Sequence, residues 1–108
     1  MDIETAKRIM EANYAGDDSL TASLNDYSYF SEEKFRAFYE SIVFLTENSI
    51  NTNELSKQIC MAYQRVLKEM IYHFDPNDLN VLENFPNNYI EYLEKMDDAV
   101  RAYFDGNK

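Results

Sequence analysis

The sequence predicts an all-α fold: a compact bundle of four main helices with one or two short connecting helices. Three observations predict it. Apolar residues recur at i, i+3/i+4 and i+7 in four separate segments. Two Gly and two Pro in 108 residues are too few turn formers for a small β-sandwich. Nine Tyr and seven Phe within a 45% hydrophobic composition supply a core and argue against disorder. Residues 1–108 read as a single domain, with no linker, internal repeat or low-complexity tract.

The elements follow in order. Asp2 is placed to cap a first helix ending near Tyr14, with Ile3, Ala6, Met10 and Tyr14 as its apolar stripe and Gly16 just past its end. Glu4–Arg8 and Lys7–Glu11 are i,i+4 pairs on the opposite side. Asp17-Asp18-Ser19 is a capping turn before a short helix, Ser19–Asn25, which turns Leu20 and Leu24 inward. Asp26–Phe30 is a connection carrying Tyr27, Tyr29 and Phe30. Ser31 caps the next helix, to about Ser49, and Glu32 and Glu33 fall in its first turn, where the helix dipole favours them. Its stripe is Phe35, Phe38, Ile42 and Leu45, widened by Ala37 and Phe44.

Asn51 and Glu54 have capping-box spacing, with Thr52 as a competing cap. The helix after them, Asn53–Phe74, carries two adjacent stripes. Leu55, Ile59, Ala62 and Val66 form one, and Cys60, Tyr63, Leu67, Met70 and Phe74 the other. So wide a face predicts a central, heavily buried helix. Asp75-Pro76-Asn77-Asp78 reads as the start of a short helix with Leu79 and Leu82 inward. Pro86 restarts the chain, and the last helix, Asn87–Phe104, points Tyr89, Leu93, Met96, Val100 and Tyr103 at the core, with Gly106 as its stop.

Twenty acids against ten bases give a net charge of -10. Such a surface repels nucleic-acid phosphates and anionic membranes, and favours a basic protein partner. The longest uninterrupted apolar run, Ile42–Leu45, is far short of a membrane span. Met1–Tyr14 has no signal-peptide pattern, so the expected location is cytoplasmic. A lone Cys60 permits no internal disulfide.

The residue inventory lacks the usual catalytic and metal motifs. His73 is the only histidine, and Met70 stands where a Glu-x-x-His di-iron ligand needs an acid. One His and one Cys do not close a zinc site. Asp75–Pro86 fails as an EF-hand, with Asn80 at the turn glycine and Pro86 at the final acid. Cys60 and His73 lie roughly 20 Å apart along one helix, too far for a dyad. Cys60 is expected in the core, and His73 at its edge with its polar atoms satisfied. Two distant glycines build no phosphate loop. The expectation is a binding protein with no cofactor and no metal, not an enzyme.

Two surfaces are candidates for a basic partner. The segment Asp17–Glu33 holds Asp17, Asp18, Asp26, Glu32 and Glu33 and no base, with Tyr27 and Tyr29 among them. Tyr offers a rigid face for stacking on Arg, and carboxylates supply charged hydrogen bonds. Alternatively these aromatics plug the end of the bundle and the acids cap helices. The last helix places Glu91, Glu94, Asp98 and Asp105 on the face opposite its apolar stripe, interrupted by Arg101. The other reading is a solvated face.

In size, charge and helicity the chain resembles small bacterial immunity proteins, a resemblance of class that assigns no residue a role. It implies an inhibitor that masks a basic, nuclease-type toxin. A nucleic-acid mimic directed at a DNA-binding defence enzyme is the first alternative, and expects acids in two phosphate-like rows. A helical adaptor or assembly protein is the second, and expects an exposed apolar patch.

Overall fold

Four amphipathic helices wrap one apolar core in a computed structural model that describes residues 1–77 and 81–106. In chain order these are α1 (Ile3–Ala15), α3 (Glu32–Glu47), α4 (Asn53–His73) and α5 (Tyr89–Gly106). A short α2 (Leu20–Asn25) connects the first two. Helix α1 packs on α3 and α4, and α3 packs on α5. α5 returns to α4 in the lightest of these contacts. The order around the bundle is therefore α1, α3, α5, α4. α2 lies across α4 and α1.

The sequence-local caps form as expected. Asp2 Oδ1 accepts the Thr5 N–H at 2.8 Å, Ser19 Oγ that of Ala22 at 3.1 Å, and Ser31 Oγ that of Lys34 at 3.2 Å. At α4 the competing cap wins: Thr52 Oγ1 accepts the Leu55 N–H. Asn51 instead accepts from the hydroxyls of Ser56 and Tyr103. Gly16 ends α1 with extended backbone, not a left-handed turn. A Cβ there would sit 2.9 Å from Ala12 Cα, so close approach is what requires glycine. α3 ends in a Schellman motif, with Ile50 N–H on Leu45 O and Ser49 N–H on Thr46 O, and Ser49 at φ 54.

The inward stripes are largely as predicted. Met10, Leu20, Phe38, Ile42, Leu45, Ile59, Val66, Met96 and Tyr103 are fully buried. Each such apolar side chain stabilises the fold by roughly 1.5–3 kcal/mol. Three expectations fail. Ile3 and Tyr14 sit at the exposed edges of α1, and buried Asn13 takes the inward place at its last turn. There Asn13 O accepts from the Thr21 hydroxyl at 2.7 Å, tying α2 to α1. α4 is not central: along its second stripe Cys60 and Phe74 are exposed and Tyr63 and Leu67 half-buried, leaving only Met70 buried. The Glu4–Arg8 and Lys7–Glu11 pairs do not close as ion pairs.

Between α4 and α5, Asp78, Leu79 and Asn80 lie outside the described residues, so the expected short helix is seen only from its flanks. Asp75–Asn77 is a turn; Leu82 is buried, and Glu83 forms an isolated parallel bridge with Tyr29. Leu82 N–H donates to His73 Nδ1 at 2.9 Å, which satisfies that ring atom as expected of an edge-of-core histidine. Glu83 pairs with the α2–α3 connection through Glu83 N–H to Ser28 O and Phe30 N–H to Glu83 O. α5 begins at Tyr89 and still includes Gly106.

Candidate partner interface

The α2–α3 connection is built around Phe30. Its ring is buried and meets Tyr92 at a centroid distance of 5.3 Å and Phe35 and Phe85 at 6.0 Å, in T-shaped and tilted contacts. Phe85 extends this cluster to His73, Phe74 and Tyr89. Phe30 is thus the plug of the bundle end. Tyr27 and Tyr29 are not: they are 68% and 39% exposed. Ser28 between them takes φ 50, and Tyr29 N–H reaches back to Ser23 O.

All five acids of this segment are exposed, but cations of α1, α3 and α4 approach them. Lys34 pairs with Asp18, and Arg36 with Glu32 at 3.3 Å. Lys34 holds the Asp18 carboxyl below the usual carboxylate range, by hydrogen bond and by charge. Asp17 and Asp26 share a groove with Arg65 of α4, Glu33 shares one with Arg8 and Lys34, and Glu32 shares one with Arg36 and Lys95. Exposed pairs of this kind add only about 0–1 kcal/mol of stability, yet they cancel much of the local field. The grooves measure about 260, 300 and 310 Å³. That is the floor of the range for small-molecule pockets, roughly 300–1,000 Å³.

On α5 the acids fare differently. Glu91, Glu94, Asp98 and Asp105 are exposed on one side of an 18-residue helix. No cation among the described residues lies within ion-pair distance of them. Glu91 accepts from Asn88 Nδ2 and borders the groove of Arg36 and Lys95. Glu94, Asp98 and Asp105 border none of the three grooves. Arg101, expected to interrupt the strip, is exposed and acts on Asp105, but its hydrogen bond goes to Asp97. Its Nε donates to Asp97 Oδ2 at 2.7 Å, while Asp97 Oδ1 accepts from the Tyr63 hydroxyl at 2.7 Å. Those two hydrogen bonds, from Tyr63 first, hold the Asp97 carboxyl below the usual range. Burial, then Asp97, pushes the Tyr63 phenol up to about 12.

The structure therefore keeps both candidate surfaces exposed but does not merge them; only Glu32 and Glu91 share a groove. The cations that temper the first surface come from α1, α3 and α4, and a reading of Asp17–Glu33 alone misses them. Among the described residues no cluster of three His, Cys, Asp or Glu is arranged to hold a metal ion, and no helix is long and apolar enough to cross a membrane. Comparison with models of known families, with characterised proteins and with solved structures finds no match.

Proposed function

We propose that the protein is an inhibitor that binds and masks a basic protein target, as an immunity protein neutralises a nuclease-type toxin, and that α5 is its leading docking strip. One observation carries this: a row of exposed acids, Glu91, Glu94, Asp98 and Asp105, on a long helix anchored to the core, with no described cation at ion-pair distance and with Glu94 and Asp98 bordering no groove. The row extends roughly 20 Å along the axis, long enough to face several Lys or Arg side chains of a phosphate-binding groove. A fixed row of like charge steers encounter with an opposite one and disfavours neutral partners. The acids of the α2–α3 connection, with exposed Tyr27 and Tyr29, form the secondary surface. Mimicry of a duplex asks for two acidic rows, and α5 presents one, so the inhibitor reading is preferred.

Affinity capture from native cells tests it, with the wild-type chain and a Glu94→Lys, Asp98→Lys, Asp105→Lys variant as baits. The reading expects a basic protein retained by the wild type and lost with the variant. Equal retention by both baits, or a retained partner that is acidic, overturns it.

A further inference from the structure

The second stripe of α4 was expected in the core, yet much of it reaches solvent. Ile71 is 66% exposed and Phe74 54%. α5 runs antiparallel beside it: Phe74 meets Tyr89, Tyr63 bonds Asp97, and Ser56 bonds Tyr103. From that flank α5 adds Ile90, 49% exposed, and Phe104, 43% exposed. The two helices thus share an apolar patch at one end of their seam, where Ile71 and Phe74 meet the start of α5 at Tyr89 and Ile90; Phe104 lies at the other end, beyond Asp97 and exposed Arg101. Scattered exposed apolar residues need no explanation, but a contiguous set on one face marks an interaction surface.

The two edges of this face differ in charge. On α4, the wheel places exposed Lys68 just outside the apolar stripe, on the side away from α5, while Lys57 on that side is turned onto the Tyr14 ring of α1. On α5, the row led by Glu94 and Asp98 lies just outside Ile90, on the side away from α4. The antiparallel register, set by the Tyr63–Asp97 bond, puts Lys68 level with the Glu91–Glu94 turn. A basic target would meet the lysine edge unfavourably. A face with one basic edge and one acidic edge at matched heights complements itself.

We propose that this face receives a second copy of the chain, related by a two-fold axis parallel to α4 and α5. That axis lays the lysine edge of each copy on the acidic edge of the other, with Ile71, Phe74 and Ile90 between. An axis across the helices would set lysine on lysine and acid on acid. A two-fold contact needs such a self-complementary patch. The molecule measures 41 × 24 × 21 Å, so its long face is large enough to supply the roughly 800 Å² that each partner gives a standard interface. The inference does not rest on the basic-target reading. A target that took the α5 acids would displace the second copy, and self-association would then lower its apparent affinity.

Light scattering or sedimentation equilibrium across roughly 1–100 μM tests the proposal. The wild-type mass should rise from 12.8 kDa toward twice that value. Ile71→Asp should stay at the monomer mass throughout. Lys68→Glu and Glu94→Lys should each raise the dissociation constant at least about tenfold. The double variant Lys68→Glu, Glu94→Lys should restore it to within about threefold of wild type, because both edges are then reversed together. All three sites are exposed, and an unchanged far-UV circular dichroism spectrum certifies the fold of each variant. A wild type that stays monomeric overturns the proposal. So does a double variant no stronger than the single ones.

Discussion

The α2–α3 connection and α5 are both acidic and both exposed, yet cations of other elements reach more of the acids of the first. In the connection, Asp18 and Glu32 are held by Lys34 and Arg36, and Asp17, Asp26 and Glu33 look across grooves at Arg65, Arg8 and Lys34. On α5, Glu94 and Asp98 border no groove; Glu91 alone faces Arg36 and Lys95, and Asp105 acts on Arg101, which is hydrogen-bonded to Asp97. Acidity along a segment and acidity of a surface are thus different properties. The first is read from neighbours in sequence, the second from neighbours in space. The lesson extends to Tyr27, Tyr29 and Phe30, adjacent aromatics of which the last builds the bundle end and the first two face solvent.

The comparison breaks first on stability. Phe30→Ala should cost about 3–5 kcal/mol, because it empties the centre of the aromatic cluster that joins α3, α5 and the α4–α5 connection. Tyr27→Ala, at 68% exposure, should stay within about 0.5 kcal/mol. Chemical denaturation of the two variants checks both. Equal costs would mean that the connection is not organised around Phe30.

A second test concerns the edge of α5 where charge is taken up. Tyr63→Phe should cost about 1–2 kcal/mol by removing the hydrogen bond to Asp97. It should also change the alkaline limb of stability. The folded phenol titrates at about 12, above its ordinary value of 10. Its contribution is therefore complete below pH 10 and lost as pH rises from 10 to 12. Denaturation midpoints across that window should fall more steeply for wild type than for Tyr63→Phe. Parallel slopes would remove Tyr63 from the account.

The smallest effect expected is at the end of α3. Ser49 sits at φ 54, where an L side chain is strained by roughly 1 kcal/mol, and Ser49→Gly should raise stability by about that amount. A loss of stability would show that Ser49 makes a contribution the backbone does not reveal.

Much of the fold was legible in the sequence because its signals are local. Asp2, Ser19 and Ser31 cap the helices they precede, and the stripe Phe35, Phe38, Ile42, Leu45 is buried as its spacing requires. Periodicity states which residues share a face but not what lies opposite. For that reason Cys60, Leu67 and Phe74 read as core, although α5 covers only one flank of their stripe. The choice between Asn51 and Thr52 turned on Tyr103, about fifty residues away, whose hydroxyl donates to Asn51 Oδ1. The candidate site was legible as a list of acids. Arg36 pairs with Glu32 at i,i+4 within α3, but which of the other acids are compensated depended on Arg8, Lys34 and Arg65, whose positions relative to them the packing of α1, α3 and α4 determines. Cys60, exposed where a core position was expected, should react readily with thiol reagents when the protein is dilute.

The least compensated acids of the two surfaces are Glu94 and Asp98 of α5, which border no groove and have no described cation at ion-pair distance. Titration of the isotope-labelled chain with a short oligo-arginine peptide, followed by amide chemical shifts at low salt, tests it most directly. The account predicts that the largest shifts fall on Glu91, Glu94, Asp98 and Asp105 and fade as added salt shortens the screening length from roughly 30 Å toward 3 Å. Largest shifts on Asp17, Asp26, Tyr27 and Glu33, with α5 unmoved, would contradict it.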